Sequence, residues 1–170
     1  MLHQEQPELK QYAAEIRRRI EECDGEVFRN KSARHAAIII KEFIASAKES
    51  VYIYCGHLNH LVYGELKDVF EKAMAEKDTE QTPQIQVLTE SNEIDCPNLA
   101  NFLREKHAFR SLGKSMEIPH FIVVDAKRYR IETNEMEKTA LVCACTQTEA
   151  QKKRALMMNE LFKIMWSYAT

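Results

Sequence analysis

The sequence predicts an α/β domain with a mixed, partly parallel central sheet and helices on both faces. Three observations carry this. Val51–Cys55 and Ile85–Leu88 read as strands separated by a helical pattern, so within about forty residues the chain makes a right-handed crossover that sets two strands parallel. Phe121–Val124 is a run of four branched or aromatic residues suited to a strand covered on both faces, and Asp-Ala-Lys-Arg then turns it into a second strand. The segment Thr148–Tyr168 is long, helical and amphipathic, with Ala155, Met158, Leu161, Phe162, Met165 and Trp166 on one side.

Taken in order, Glu8–Cys23 has Leu9, Tyr12, Ala13, Ile16 and Ile20 at helical spacing, and Asp24-Gly25 is a stop signal. Ser32 can cap a second helix to about Lys48, whose broad face of Ala36, Ile39, Ile40, Phe43, Ile44 and Ala47 calls for burial on a sheet. After the strand Val51–Cys55, a loop from Gly56 to His60 leads to a helix over Tyr63–Lys77 with Leu66, Val69, Phe70 and Ala73 inward. Glu76–Gln84 is a polar connection, Ile85–Leu88 a strand, Thr89–Pro97 irregular, and Asn98–Lys106 a short helix. The Ile118–Val124 strand follows, and Tyr129–Glu132 and Thr139–Cys145 continue the sheet as a hairpin. No internal repeat is visible, and 4 Gly with 4 Pro leave little room for long linkers. The organisation expected is an N-terminal amphipathic helix over 1–30 and one domain over 31–170.

Composition narrows the function. With 170 residues and 45% hydrophobic content the chain can fill one core. Balanced charge, 24 basic against 26 acidic residues, gives no global field toward nucleic acid or anionic lipid. Met1–Gln6 lacks the pattern of a secretory signal, and no apolar run approaches membrane-spanning length, so a soluble, cytoplasmic protein without a membrane partner is expected. Five cysteines with no Cys-x-x-Cys pair argue against a disulfide framework and a zinc knuckle, and read as reduced core thiols. Met157, Met158 and Met165 read as core filler, with a protein interface as the alternative. No cofactor or metal is implied.

The order of elements resembles one half of a phospholipase D superfamily protein from roughly Ser32 onward. The helix ending Ala45-Ser46-Ala47-Lys48-Glu49-Ser50 that runs into Val51-Tyr52-Ile53 is similar to that family's opening unit, and Glu65–Leu88 to its first crossover. The family's catalytic strand carries His-x-Lys-x-x-x-x-Asp, followed by a hairpin and Gly-Ser. Setting Phe121–Asp125 on that segment puts Ile118 at the nucleophile, His120 at the lysine, and Glu132-Thr133 at Gly-Ser. The resemblance therefore implies the fold together with loss of the nucleophilic histidine and the lysine, because an aliphatic side chain cannot form a phosphohistidine. It also implies pairing, as a homodimer or with a related or operon-encoded chain.

The candidate functional residues are few. His120 and Asp125 are the catalytic candidates, placed by strand rise about 17 Å apart and so unable to touch. His120 as nucleophile would need Asp125 with Lys127 or Arg130 in support. Arg130 and Glu132 are ligand or phosphate candidates, Arg130 through its two-pronged guanidinium, with an internal salt-bridged cluster as the competing reading. His57 and Asn59, in the loop leaving a parallel strand's carboxyl end, are the second ligand candidates. His57 and His60, with Glu65 as third ligand, make an unconvincing metal set. Arg17-Arg18-Arg19 reads as a solvated, ion-paired face, and Lys152-Lys153-Arg154 together with Arg128 and Arg130 could build a basic surface for nucleic acid. The leading expectation is a degenerate, non-catalytic binding, assembly or regulatory subunit, by analogy in bacterial nucleic-acid processing or defence. The alternatives are a nuclease or phosphodiesterase using His120, and a nucleic-acid-binding protein without catalysis.

Overall fold

The computed structural model describes residues 7–75 and 81–170. Seven strands form one mixed sheet: β1 (Val27–Asn30), β2 (Ser50–Cys55), β3 (Gln84–Thr89), β4 (Phe109–Ser111), β5 (Phe121–Val124), β6 (Arg128–Asn134) and β7 (Thr139–Cys143). Their order across the sheet is β1-β7-β6-β5-β2-β3-β4. The β2, β3 and β4 strands are parallel, whereas β5, β6, β7 and β1 continue from β2 in antiparallel steps. The sheet is thus an α/β crossover half joined to a hairpin half.

Helices cover both faces. On one side lie α1 (Pro7–Glu21), α2 (Ala33–Ala45), α3 (His60–Tyr63), α4 (Lys67–Met74) and α5 (Pro97–Glu105), enclosing a core that includes Ile39, Ile40, Phe43, Ile53, Phe70, Val87 and Val142. On the other lies α6 (Glu149–Tyr168), which buries Ala155, Met158, Phe162 and Met165 against Tyr52, Tyr54, Val123 and Tyr129. All of Phe121–Val124 is buried, because this strand is central and both its faces are covered. The N-terminus of α6 carries a full capping box, Thr148 accepting from the Gln151 N–H while the Gln151 side chain accepts from the Thr148 N–H. Ser32 caps α2 by accepting from the His35 N–H.

Several expectations are corrected. The helix expected over Tyr63–Lys77 is two helices, since Asn59 starts a single turn early and the chain breaks at Gly64-Glu65; Glu76 and Lys77 lie outside the described residues. The strand at Ile118 begins instead at Phe121, after Pro119. Val27–Asn30 and Phe109–Ser111 are additional edge strands, so the sheet already begins before residue 31. Met158 and Met165 are core, but Met157 is exposed. Cys23 and Cys145 are not reduced thiols: they form a disulfide with Cα atoms 4.9 Å apart, across 122 positions of sequence, while Cys55, Cys96 and Cys143 are buried free thiols. Among the described residues no helix is long and apolar enough to cross a membrane.

Candidate functional site

The carboxyl ends of β2, β3 and β4 converge with the start of β5, the place where open sheets of this kind receive ligands. Glu90 leaves β3 with its N–H donated to the Cys55 and Gly56 carbonyls at 3.0 and 3.1 Å, which sets its side chain beside the end of β2. His120 precedes β5, and its carbonyl accepts from the Glu132 N–H at 2.9 Å, so the β5–β6 pairing brings Glu132 alongside the imidazole. The result is a chain of charge. Glu90 Oε2 lies 3.4 Å from His120 Nε2, and Glu132 Oε1 lies 3.7 Å from His120 Nδ1.

Each carboxylate has further partners. Glu90 Oε1 accepts from the Tyr54 hydroxyl, from Ser115 Oγ at 3.1 Å and from the Met116 N–H at 3.2 Å. Glu132 Oε2 accepts from Arg130 Nη1 at 3.2 Å, and Lys138 Nζ stands 3.5 Å from Glu132 Oε1, an oxygen that makes no hydrogen bond. Arg130 is 3% exposed; it also donates from Nε to Asn30 Oδ1 at 3.1 Å and from Nη2 to the Lys138 carbonyl at 2.9 Å. Asn30 in turn donates to that same carbonyl at 2.7 Å. A register irregularity between Glu132 and Asn134 bends the hairpin where this network closes.

The electrostatics follow from these neighbours. Burial alone would depress the imidazolium of His120, but the Glu132 and Glu90 carboxylates outweigh it and raise its pKa above the ordinary histidine value. Burial likewise opposes the ionised Glu90 and Glu132. The Tyr54 hydroxyl, the Met116 N–H and the adjacent His120 hold Glu90 below the usual carboxylate range, and the neighbouring positive groups of His120, Arg130 and Lys138 hold Glu132 below it. The set is a buried carboxylate–imidazole–carboxylate bridge, in which both carboxylates favour the protonated ring. Beside it, burial pushes the Cys55 thiol up to about 12, leaving it protonated and unreactive.

Above the bridge an open, mainly polar cleft of ≈ 390 Å³ is lined by Gly56, His57, Glu90, Ser91, Lys114 and Glu135, among others. Gly56 keeps its floor thin, for a Cβ there would meet the His120 ring and the Glu135 carboxylate at 3.2 Å each. His57 Nε2 pairs with Asp95 Oδ2 at 3.2 Å on the wall.

Of the residues the sequence nominates, His120, Arg130 and Glu132 come together, and His57 borders the same cleft. Asn59 does not: its carboxamide oxygen accepts from the Leu61 N–H as the cap of α3. Asp125 is also elsewhere, at the far end of β5. Its two oxygens accept from the backbone N–H groups of Lys48, Glu49 and Ser50 at 2.7 to 3.2 Å, tying the α2–β2 loop to the β5–β6 turn. Ile118 packs against the apolar cluster on the α6 side of the sheet. Arg130 is directed inward, so it presents no fork to a phosphate. Arg128 and Arg130 cannot join Lys152-Lys153-Arg154 in one basic surface, because alternation along β6 puts Tyr129 under α6 and the two arginines on the opposite face. The Arg17–Arg19 run is ion-paired as read, with Glu42, Glu15, Glu22, Asp24 and Glu26.

Glu90, Tyr54 and Lys138 complete the site and were not singled out from sequence. Glu90 had one signal available, its position immediately past the carboxyl end of a parallel strand.

No protein-family model and no curated protein matches the chain. Among solved structures it is similar to TrmBL2, described as an archaeal chromatin protein that shows a novel mode of DNA binding. The TM-score is 0.61 and the identity 15%, over 95% of this chain and 60% of that one. The likeness supports the α/β fold, and the chain spans less than two thirds of the neighbour's length.

Proposed function

We propose that this chain is a degenerate phospholipase D-like domain that acts by binding, as an assembly or regulatory subunit, and does not cleave phosphodiesters. One observation carries the reading: His120, the imidazole nearest the expected reaction centre, stands between two carboxylates. A nucleophilic histidine needs a free nitrogen lone pair, whereas carboxylates beside both ring nitrogens, Glu90 at 3.4 Å and Glu132 at 3.7 Å, favour the doubly protonated ring and occupy the approach to each nitrogen. Two carboxylates beside the ring also repel a phosphate, and the guanidinium that could offset them is spent on Asn30, Glu132 and the Lys138 carbonyl. The aliphatic side chain of Ile118 supplies no nucleophile.

The test is hydrolysis of bis(4-nitrophenyl) phosphate by the wild type and by His120→Ala. Equal, background rates are expected; a wild-type rate that His120→Ala abolishes refutes the reading. Pairing with a second copy or a related chain belongs to the same proposal, and a monomeric sizing profile with no co-purifying chain counts against it.

Nucleic-acid binding without catalysis is the second reading, favoured by the likeness to TrmBL2, an archaeal chromatin protein with a novel mode of DNA binding. The groups available for it are the exposed Lys152, Lys153 and Arg154 of α6, not Arg130. Lys152→Glu with Lys153→Glu should then weaken binding to any duplex and lower the salt slope by about 1 per lost phosphate contact.

A further inference from the structure

We propose that the Cys23–Cys145 disulfide is a reversible clamp whose reduction loosens α1–β1 and, through Asn30, resets the Glu90–His120–Glu132 bridge. The inference rests on the binding reading proposed above and takes the cleft over that bridge as the binding site. Cys23 is exposed at the end of α1 and Cys145 is half-buried just past β7, so a small thiol can reach the link from solvent. The remaining three thiols are buried, which confines exchange to this pair.

The link sits where three parts of the chain meet. Gln147 donates from Nε2 to the Cys23 carbonyl at 2.7 Å, and Gln151, at the first turn of α6, donates to the Gly25 carbonyl at 2.7 Å. Gly25 leaves room for this contact, since a Cβ there would fall 2.4 Å from the Gln147 side chain and force it to shift. From this joint β1 runs only four residues, paired on one side with β7, before ending at the buried Asn30. Asn30 accepts from Arg130 Nε, Arg130 donates to Glu132, and Glu132 faces His120. Displacing β1 therefore removes the acceptor that orients the guanidinium, and with it a cation that holds Glu132 ionised beside the imidazole.

The chemistry needs two molecules of a low-molecular-weight thiol. The first, as thiolate, attacks Cys23 Sγ; the S–S bond breaks and its electron pair leaves on Cys145 Sγ, which takes a proton. The second attacks the mixed disulfide, freeing the Cys23 thiol and giving the small molecule's own disulfide. Two thiols are oxidised and one protein disulfide is reduced.

The experiment uses the full chain, air-oxidised or treated with glutathione, with Cys145→Ser and Cys23→Ser as permanently open forms. Tryptic cleavage after Arg29 or Lys31 should be about tenfold faster in reduced wild type and in either variant than in the oxidised protein, since cleavage tracks the opened population. The His120 titration midpoint, followed by the imidazole carbon-bound protons in NMR, should rise on reduction and in both variants, because withdrawing the Arg130 cation leaves the Glu132 carboxylate to the imidazolium. Five titratable thiols in the unfolded, air-oxidised protein would overturn the clamp. So would equal cleavage rates, or a midpoint that does not move. Neither readout depends on the absence of phosphodiesterase activity, so failure of the functional reading is recognised separately by hydrolysis.

Discussion

Asp125 separates a catalytic carboxylate from an architectural one, and its replacement has a calculable cost. Asp125→Ala leaves three backbone donors, from Lys48, Glu49 and Ser50, without their acceptor. A buried donor left unmade costs about 1 to 3 kcal/mol, and because this loop is partly solvated the low end applies, giving about 3 kcal/mol in all. The residue also sits at φ 53, where alanine costs about 1 kcal/mol more than a residue that tolerates the left-handed region. The sum is about 4 kcal/mol, or on the order of 10 °C in Tm for a domain of this length. Asp125→Asn keeps the left-handed conformation and one carbonyl acceptor, and should lose about half as much. Thermal and urea unfolding measure both variants. Asp125→Ala within about 2 °C of wild type would refute the reasoning, as would a loss of ligand or partner binding in Asp125→Asn with its stability unchanged.

The charged bridge makes stability depend on pH in both directions. His120, with its pKa raised, contributes fully below the ordinary histidine value of 6.5, and the contribution is lost as pH rises through the raised value; Glu90 and Glu132, with pKa values lowered, contribute above 4.5 and are lost as pH falls. Tm should therefore peak between about 4.5 and 6.5 and the alkaline limb should flatten in His120→Ala; an unchanged alkaline limb in that variant would exclude the bridge as its source. The β5–β6 turn is closed by the Lys127 N–H donating to the Val124 carbonyl at 2.9 Å, with positive φ at both Asp125 and Ala126, the geometry that favours Asp-Gly. Ala126→Gly relieves about 1 to 2 kcal/mol of left-handed cost against about 0.5 to 1 kcal/mol of added chain entropy, so Tm should rise by about 2 °C; a fall in calorimetric Tm would mean the turn differs from the one described.

What the sequence disclosed follows from how locally each feature is encoded. The α2, β2, β3, β5 and α6 elements were legible because each carries a long apolar period or an uninterrupted branched run, and their order fixed the crossover. β1 and β4 were not, since four and three residues at sheet edges are too few to establish alternation, and their pairing partners lie far along the chain. The break at Gly64 hid behind an apolar pattern that runs on through Leu66 and Val69. The disulfide spans 122 positions and was invisible to spacing rules. The site was half legible: Arg130 and Glu132 alternate along β6 and His120 stands at the start of the preceding strand, but Glu90 joins them only through the order β5-β2-β3, which no local pattern specifies.

That topology also gives the bridge its mechanical meaning. Glu90 belongs to the parallel half of the sheet, Glu132 and Arg130 to the antiparallel half, Asn30 to the outermost strand, and His120 stands at the junction of the halves. A purely apolar junction would hold the halves together without sensing anything, because dispersion contacts do not change with the charge of a ligand. A buried imidazolium balanced between two carboxylates does respond, since removing its proton or adding a charge in the cleft leaves a carboxylate uncompensated in a poorly solvated place. A ligand held against Glu90 would thus be felt at Glu132 and, through Arg130, at the edge strand beside the disulfide. Energetic coupling between Glu90 and Asn30, measured as non-additivity in a Glu90→Gln, Asn30→Ala double-mutant cycle, is the expected signature; simple additivity within about 0.3 kcal/mol would mean the halves are joined but not linked.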